Sequence, residues 1–184
     1  MLINERDNRE ERLLQVAHEM MTAARTAPKG KGFDIIEIAL VTGENIRTLS
    51  EAMLAYYEKT GMKFILRDAE NIQKSSAILI IGTKQKTHGL NCGYCGFDTC
   101  ELKNEHPNIP CAINTADVGI AIGSACSVAA DHRVDTRVMF SAGHVAQRLN
   151  YLPGCNSVYA IPISCSSKNP FFDRTRQQNR EEKP

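Results

Sequence analysis

Residues 77–111 read AILIIGTKQKTHGLNCGYCGFDTCELKNEHPNIPC. The opening Ala77–Ile81 is a continuous apolar run, which predicts a central strand covered on both faces. Thr83 to Asn91 is polar and turn-like, and it delivers the chain into Cys92, Cys95, Cys100 and Cys111. A core strand that runs straight into a cysteine-rich loop is a rigid scaffold presenting a chemically special segment, and loops so placed commonly carry function.

On the N-terminal side, Glu5 to Ala27 reads as an amphipathic helix, with Leu13, Ala17, Met20, Met21 and Ala24 at helical spacing. Pro28 ends it, because the residue before a proline is pushed out of helical space. The loop Pro28-Lys29-Gly30-Lys31-Gly32 leads to a strand over Phe33 to Val41. Asn45 is the expected N-cap of a helix through Lys59, with Leu49, Ala52, Met53 and Tyr56 on one face and Gly61 as its stop. Met62 to Leu66 is expected as a short strand and Asp68 to Lys74 as a short helix.

On the C-terminal side, Asn114 or Thr115 is expected to cap a helix, with Asp117 near its positive end. Val118 to Ala130 is apolar nearly all round and predicts a central, buried helix. Ser141 to Leu152 predicts another, stopped by Pro153-Gly154, and Ser157 to Ile163 a last strand. Alternating strands and helices predict a layered α/β (α+β) fold. The expected organisation is one body over residues 1–174, with a cysteine insert at about 83–113 and a flexible polar tail at 175–184.

The chain has 184 residues and a mass of 20.4 kDa. Its 22 Lys and Arg against 21 Asp and Glu leave a net charge of +1, which argues against a bulk electrostatic binder of nucleic acid or membrane surfaces. It has no Trp and only 6 % aromatic residues, which disfavours a base-stacking platform. The charged opening MLINERDNREER lacks the apolar stretch of a signal peptide. No uncharged apolar run approaches the roughly 18 residues of a membrane span. The expected compartment is therefore the cytoplasm, where clustered thiols stay reduced and serve metal or redox chemistry. Seven cysteines are an odd number, so a complete disulfide framework would leave one over.

Four of the seven form C-x2-C-x4-C-x10-C. A C-x2-C pair sets two thiolates on one metal or on neighbouring irons, and Gly93 and Gly96 let the backbone wrap closely around sulfur. Pro110 fixes the approach of Cys111. Three readings stand side by side. Four cysteines without a histidine suit one 4Fe–4S cluster, the favoured reading. Structural zinc also takes four cysteines, but typically from two closely spaced pairs, whereas Cys100 and Cys111 are single. The bland reading is four free thiols. The spacing differs from both the bacterial and the plant ferredoxin runs, so "ferredoxin" applies only as cluster carriage.

The strings CGYCGFDTC, DVGIAIGSACSVAADHRVDTRVMFSAGHVAQRL and IPISCSSKNPFFDR resemble a prokaryotic family described only as uncharacterised proteins containing a ferredoxin domain. The resemblance spans most of the chain and implies a 4Fe–4S cluster on Cys92, Cys95, Cys100 and Cys111. The CGxCGxxxC start is also similar to the 4Fe–4S segment of corrinoid iron–sulfur proteins, whose fourth cysteine lies further on. A weaker similarity links TAARTAPKGKGFDIIEIALVTG and the late helix and strand to nitroreductases. It implies a helix-flanked sheet, a homodimer and a role for FMN. Nothing near Arg6 and Arg9 reproduces the Arg-Ser-x-Arg opening that grips the flavin phosphate there, and Lys29 and Lys31 stand where flavin contacts would fall.

These readings converge on a cytoplasmic iron–sulfur redox protein with a protein or small-molecule electron partner. An FMN-dependent oxidoreductase coupled to the cluster and a zinc-stabilised interaction module are the alternatives. Lys29-Gly-Lys31-Gly is a candidate phosphate cradle but lacks P-loop spacing, so a solvated turn is the expectation. Gly119 and Gly123 suggest close helix packing, and Cys126 a small core residue. Cys155 and Cys165 flank the last strand. His132, Arg133, Asp135, Arg137 and His144 are expected as surface polar groups; His88 and His106 bracket the cysteines, where either could replace a cysteine ligand or hydrogen-bond a sulfur, but exposed loop histidines are the expectation. Phe171 and Phe172 are expected to pin the C-terminal segment.

Overall fold

The computed structural model describes residues 1–172; the expected tail at 175–184 lies outside them. Helix α1 (Glu5–Thr26) opens the chain, its N-terminus capped by the Asn4 side chain, which accepts from the Arg6 N–H at 3.1 Å. It buries Leu13, Val16, Ala17, Met20 and Ala24. Strand β1 (Ile36–Thr42) follows, then α2 (Glu44–Thr60) and α3 (Lys63–Ile72). Strand β2 (Ala77–Lys84) leads through the cysteine loop to the short α4 (Cys100–Asn104) and then α5 (Ala112–Asp131). The two-residue β3 (Asp135–Thr136), α6 (Phe140–Arg148) and β4 (Cys155–Ser164) complete the fold.

The sheet runs β1-β2-β4-β3, every pair antiparallel. Side chains of a strand alternate faces, and that alternation sorts the core into two layers. On β2, Ala77, Leu79 and Ile81 join α1 and α5 through Leu13, Met20, Val118 and Ala125. Ile78 and Ile80 point the other way, onto Leu49 and Met53 of α2, Ile65 and Ile72 of α3, and Ala142 and Val145 of α6. The AILII run is thus buried on both faces, as its composition predicts, although its neighbours are antiparallel. The result is a mixed α/β sandwich with helices on both sides of one sheet.

Three expectations are corrected. The expected strand at Met62–Leu66 and helix at Asp68–Lys74 are one helix, α3, because Ile65, Asp68, Ala69 and Ile72 lie on one buried face at helical spacing. Asn45 does not cap α2; Gly43 at φ 54° takes that place without a side-chain hydrogen bond. Helix α5 is not buried all round. Asn114, Asp117, Val118, Ala121, Ile122, Ala125 and Ala129 face inward, while Gly119, Ile120 and Gly123 are exposed. It has a mean hydropathy of 1.3, enough by length and composition to cross a membrane, yet its inner face packs on α1 and β2 as a core helix does.

Candidate metal centre

The loop between β2 and α4 is shaped by positive-φ residues at Gly89 (65°), Asn91 (48°), Gly93 (72°) and Gly96 (85°). Without such residues the chain could not reverse repeatedly over so short a length. Asn91 and Cys100 hold each other twice. The Cys100 N–H donates to Asn91 Oδ1 at 2.8 Å, and the Asn91 N–H donates to Cys100 Sγ at 3.4 Å. The Asn91 amide, aided by those of Leu90 and Gly89 and by the Thr87 side chain, lowers the Cys100 thiol below its ordinary value against the opposing effect of burial. Thr99 caps α4 by accepting from the Leu102 N–H at 3.2 Å.

Cys111 is the N-cap of α5, so the positive end of that helix dipole faces the loop. Asn114 ties the helix start to the loop entrance, its Nδ2 donating to the carbonyls of Lys84 and Lys86. All four cysteines of the motif line one narrow pocket, partly open to solvent, together with His88 and Phe97. Cys92 is exposed, Cys95 and Cys100 are half-buried, and Cys111 is buried. Among the described residues no three His, Cys, Asp or Glu side chains gather closely enough to hold a single metal ion. Four thiols around one pocket, with the Asn91 amide on Cys100 Sγ, are by their chemistry a donor set for a thiolate-bound metal or cluster.

Cys126, Cys155 and Cys165 lie away from this cavity. Burial raises the Cys126 thiol, and raises that of Cys155 to about 11 with the Glu37 charge adding to it. Cys165 is exposed. The Lys29–Gly32 turn is solvated at Lys31 and Gly32, which are exposed, but half-buried at Lys29 and Gly30. The Lys29 ammonium is turned inward, donating to the carbonyls of Ala24 and Arg25 at the end of α1, and Lys31 donates to the His88 carbonyl at 3.2 Å. Gly30 donates to both oxygens of Asp117, at 3.0 and 3.1 Å, and a Cβ there would come within 2.8 Å of Ile113.

His88, expected as an exposed loop histidine, is buried. His106 stacks on Phe97 with ring centroids 5.1 Å apart. His132 and Arg137 do not form one polar site: His132 pairs with Glu19 at 2.6 Å, and Arg137 donates to the Phe171 carbonyl and stacks on Phe172. His144 bonds Tyr56 at 3.1 Å, and burial lowers its pKa. Phe171 is buried in the core. Among the described residues outside the helix's own turns, neither Gly119 nor Gly123 has a neighbour within 4 Å of an added Cβ, so close packing among them does not explain these glycines.

The fold is similar to that of nitroreductases, and the loop after β2 adds four thiols to it. A nitroreductase with bound FMN from Bacteroides fragilis superposes with a TM-score of 0.59, covering 92 % of this chain and 86 % of that one at 10 % identity. Nitroreductase CinD from Lactococcus lactis, in complex with nicotinic acid, gives 0.59 over 90 % and 83 % at 14 % identity. At those identities the likeness concerns the fold alone. An uncharacterized protein of Archaeoglobus fulgidus is 42 % identical over 95 % of this chain and 98 % of its own length. Residues 108–174 match the family "Uncharacterized protein containing a ferredoxin domain" (DUF2148). The chain belongs to this family. That matched segment includes Cys111, while Cys92, Cys95 and Cys100 lie ahead of it.

Proposed function

We propose that the protein binds one 4Fe–4S cluster through Cys92, Cys95, Cys100 and Cys111 and passes single electrons to a partner. The observation that carries this reading is the convergence of all four thiols on one cavity, with the Asn91 amide on Cys100 Sγ. Bound there, the cluster supplies one-electron redox chemistry. The chain's own part is to orient the thiols, to offer backbone N–H groups to sulfur, and to shield Cys111 at the end of α5. Exposure of Cys92 leaves that edge of the site open to an electron partner. Structural zinc is less well supported, because it typically takes its ligands from two closely spaced pairs, whereas Cys100 and Cys111 are single. The test is anaerobic purification with iron and sulfide analysis, followed by EPR after reduction. About four irons and four sulfides per chain are expected for a single cubane; stoichiometric zinc without sulfide would overturn the reading. Serine at any of the four positions should leave less than half of the wild-type iron.

A second reading adds FMN, which is bound in two of the nitroreductases that share the fold. Against it, the ammonium groups of Lys29 and Lys31 are both spent on carbonyls of this chain. Titrating FMN into the purified protein decides it: unchanged flavin fluorescence and melting temperature remove this reading. We further propose a cytoplasmic location, where clustered thiols stay reduced, and a homodimer, on the observation that Gly119, Ile120 and Gly123 form an exposed apolar strip on α5, with none of the described residues beyond the helix's own turns within 4 Å of a Cβ added at either glycine.

A further inference from the structure

His88 sits at the base of the cysteine loop with its side chain only 1 % exposed. Neither ring nitrogen has a hydrogen-bond partner among the described residues. Asp117 Oδ2 lies 3.2 Å from Nε2 but off the hydrogen-bonding direction. The Asp117 carboxylate is held in place by the Gly30 N–H on both oxygens, and Phe33 meets the imidazole edge-on with centroids 5.8 Å apart. The Lys31 ammonium holds the His88 carbonyl. A buried imidazole whose two nitrogens lack a hydrogen-bond partner among the described residues is costly and calls for one. The same imidazole lines the cavity that the four cysteines share.

We propose that His88 is a positioning residue for the redox centre, donating its one imidazole N–H to a sulfur of the group bound by Cys92, Cys95, Cys100 and Cys111. The inference rests on the iron–sulfur reading above. A donor to sulfur stabilises the more negative, reduced state and so raises the reduction potential. The ring is not needed as a ligand, because four thiolates already complete the ligand set of a cubane.

The experiment uses the cluster-loaded full chain, with His88→Leu to remove the donor and His88→Gln to keep one. Iron and sulfide are counted first, then the midpoint potential is read by EPR-monitored titration. The expected result is a lower potential in His88→Leu and a potential restored towards wild type in His88→Gln. A purely structural histidine would move the melting temperature but would show no such rescue. Wild-type potential in a fully loaded His88→Leu overturns the proposal while leaving the cluster reading intact. Should His88→Leu lose the cluster, wild-type protein labelled with 15N on histidine is reduced, and the nitrogen coupling to the cluster is measured. A coupling that His88→Gln lacks supports the proposal, and absence of coupling in wild type overturns it. Wild type that binds no iron and sulfide defeats the underlying reading and this proposal with it.

Discussion

Asn91 shows how one residue type meets two needs of the cysteine loop. Its side chain accepts from the Cys100 N–H while its own backbone, at φ 48°, aims an N–H at the Cys100 sulfur. Asn tolerates this left-handed conformation better than most residues. Asn91→Ala should cost about 1–2 kcal/mol, from the lost side-chain acceptor and the strained φ, checked by chemical denaturation. It should also speed iron loss to a chelator, because the amide on sulfur is no longer held in place. At Cys155 the sign of a pH effect can be worked out. Its thiol rises from 9.0 to about 11 on folding, so the folded state keeps a proton that the unfolded chain loses. Stability from this group is therefore full below about pH 9 and falls as the pH climbs through about 11. Thermal melts from pH 8 to 11 should fall more steeply in wild type than in Cys155→Ala. Iodoacetamide at pH 8 should label exposed Cys165 well before Cys155.

At the scale of elements, α3 and α6 show what local patterning leaves undecided. Phe64, Ile65 and Leu66 invite a strand, but the burial of Ile65, Asp68, Ala69 and Ile72 selects a helix that packs on α2. Asp68 is buried and holds Arg67 at 2.7 Å, while the Ser141 hydroxyl of α6 donates to its other oxygen. Helix α6 lies so close to β4 that a Cβ on Gly143 would collide with the Val158 backbone. Backbone cannot retreat as a side-chain tip can. Gly143→Ala is thus expected to destabilise by about 2–3 kcal/mol despite the better helix propensity of Ala, read by urea denaturation.

For the whole molecule, helix α5 carries two distinct features, the cysteine pocket at its N-terminus and an exposed strip along its outer face. The C-terminal end of β2 and the N-terminal end of α5 bring Cys92–Cys100, Cys111 and His88 together, and the Gly30–Asp117 contact ties in the turn after α1. The outer strip of α5 faces away from both core layers, and its small residues suit close approach of a second copy. Light scattering should therefore report a mass near twice 20.4 kDa. Gly123→Arg should halve that mass and leave the fold intact, since no atom of the described residues beyond the helix's own turns lies within 4 Å of the added Cβ. A monomeric wild type would remove the dimer.

Much of this was legible in the chain itself. The apolar Ala77–Ile81 run, the Pro28 and Gly61 stops and the C-x2-C-x4-C-x10-C spacing are local signals, carried by residues close in sequence. They suffice for the layered α/β body, the central strand and the four thiols. The tertiary structure decided what depends on distant pairs: the antiparallel order β1-β2-β4-β3, the fusion of an expected strand and helix into α3, the inward turn of Lys29, and the burial of His88 against Asp117. Burial and hydrogen-bond satisfaction are properties of three-dimensional neighbours. His88 and Asp117 meet only when β2 and α5 pack, and no spacing in the sequence encodes that contact.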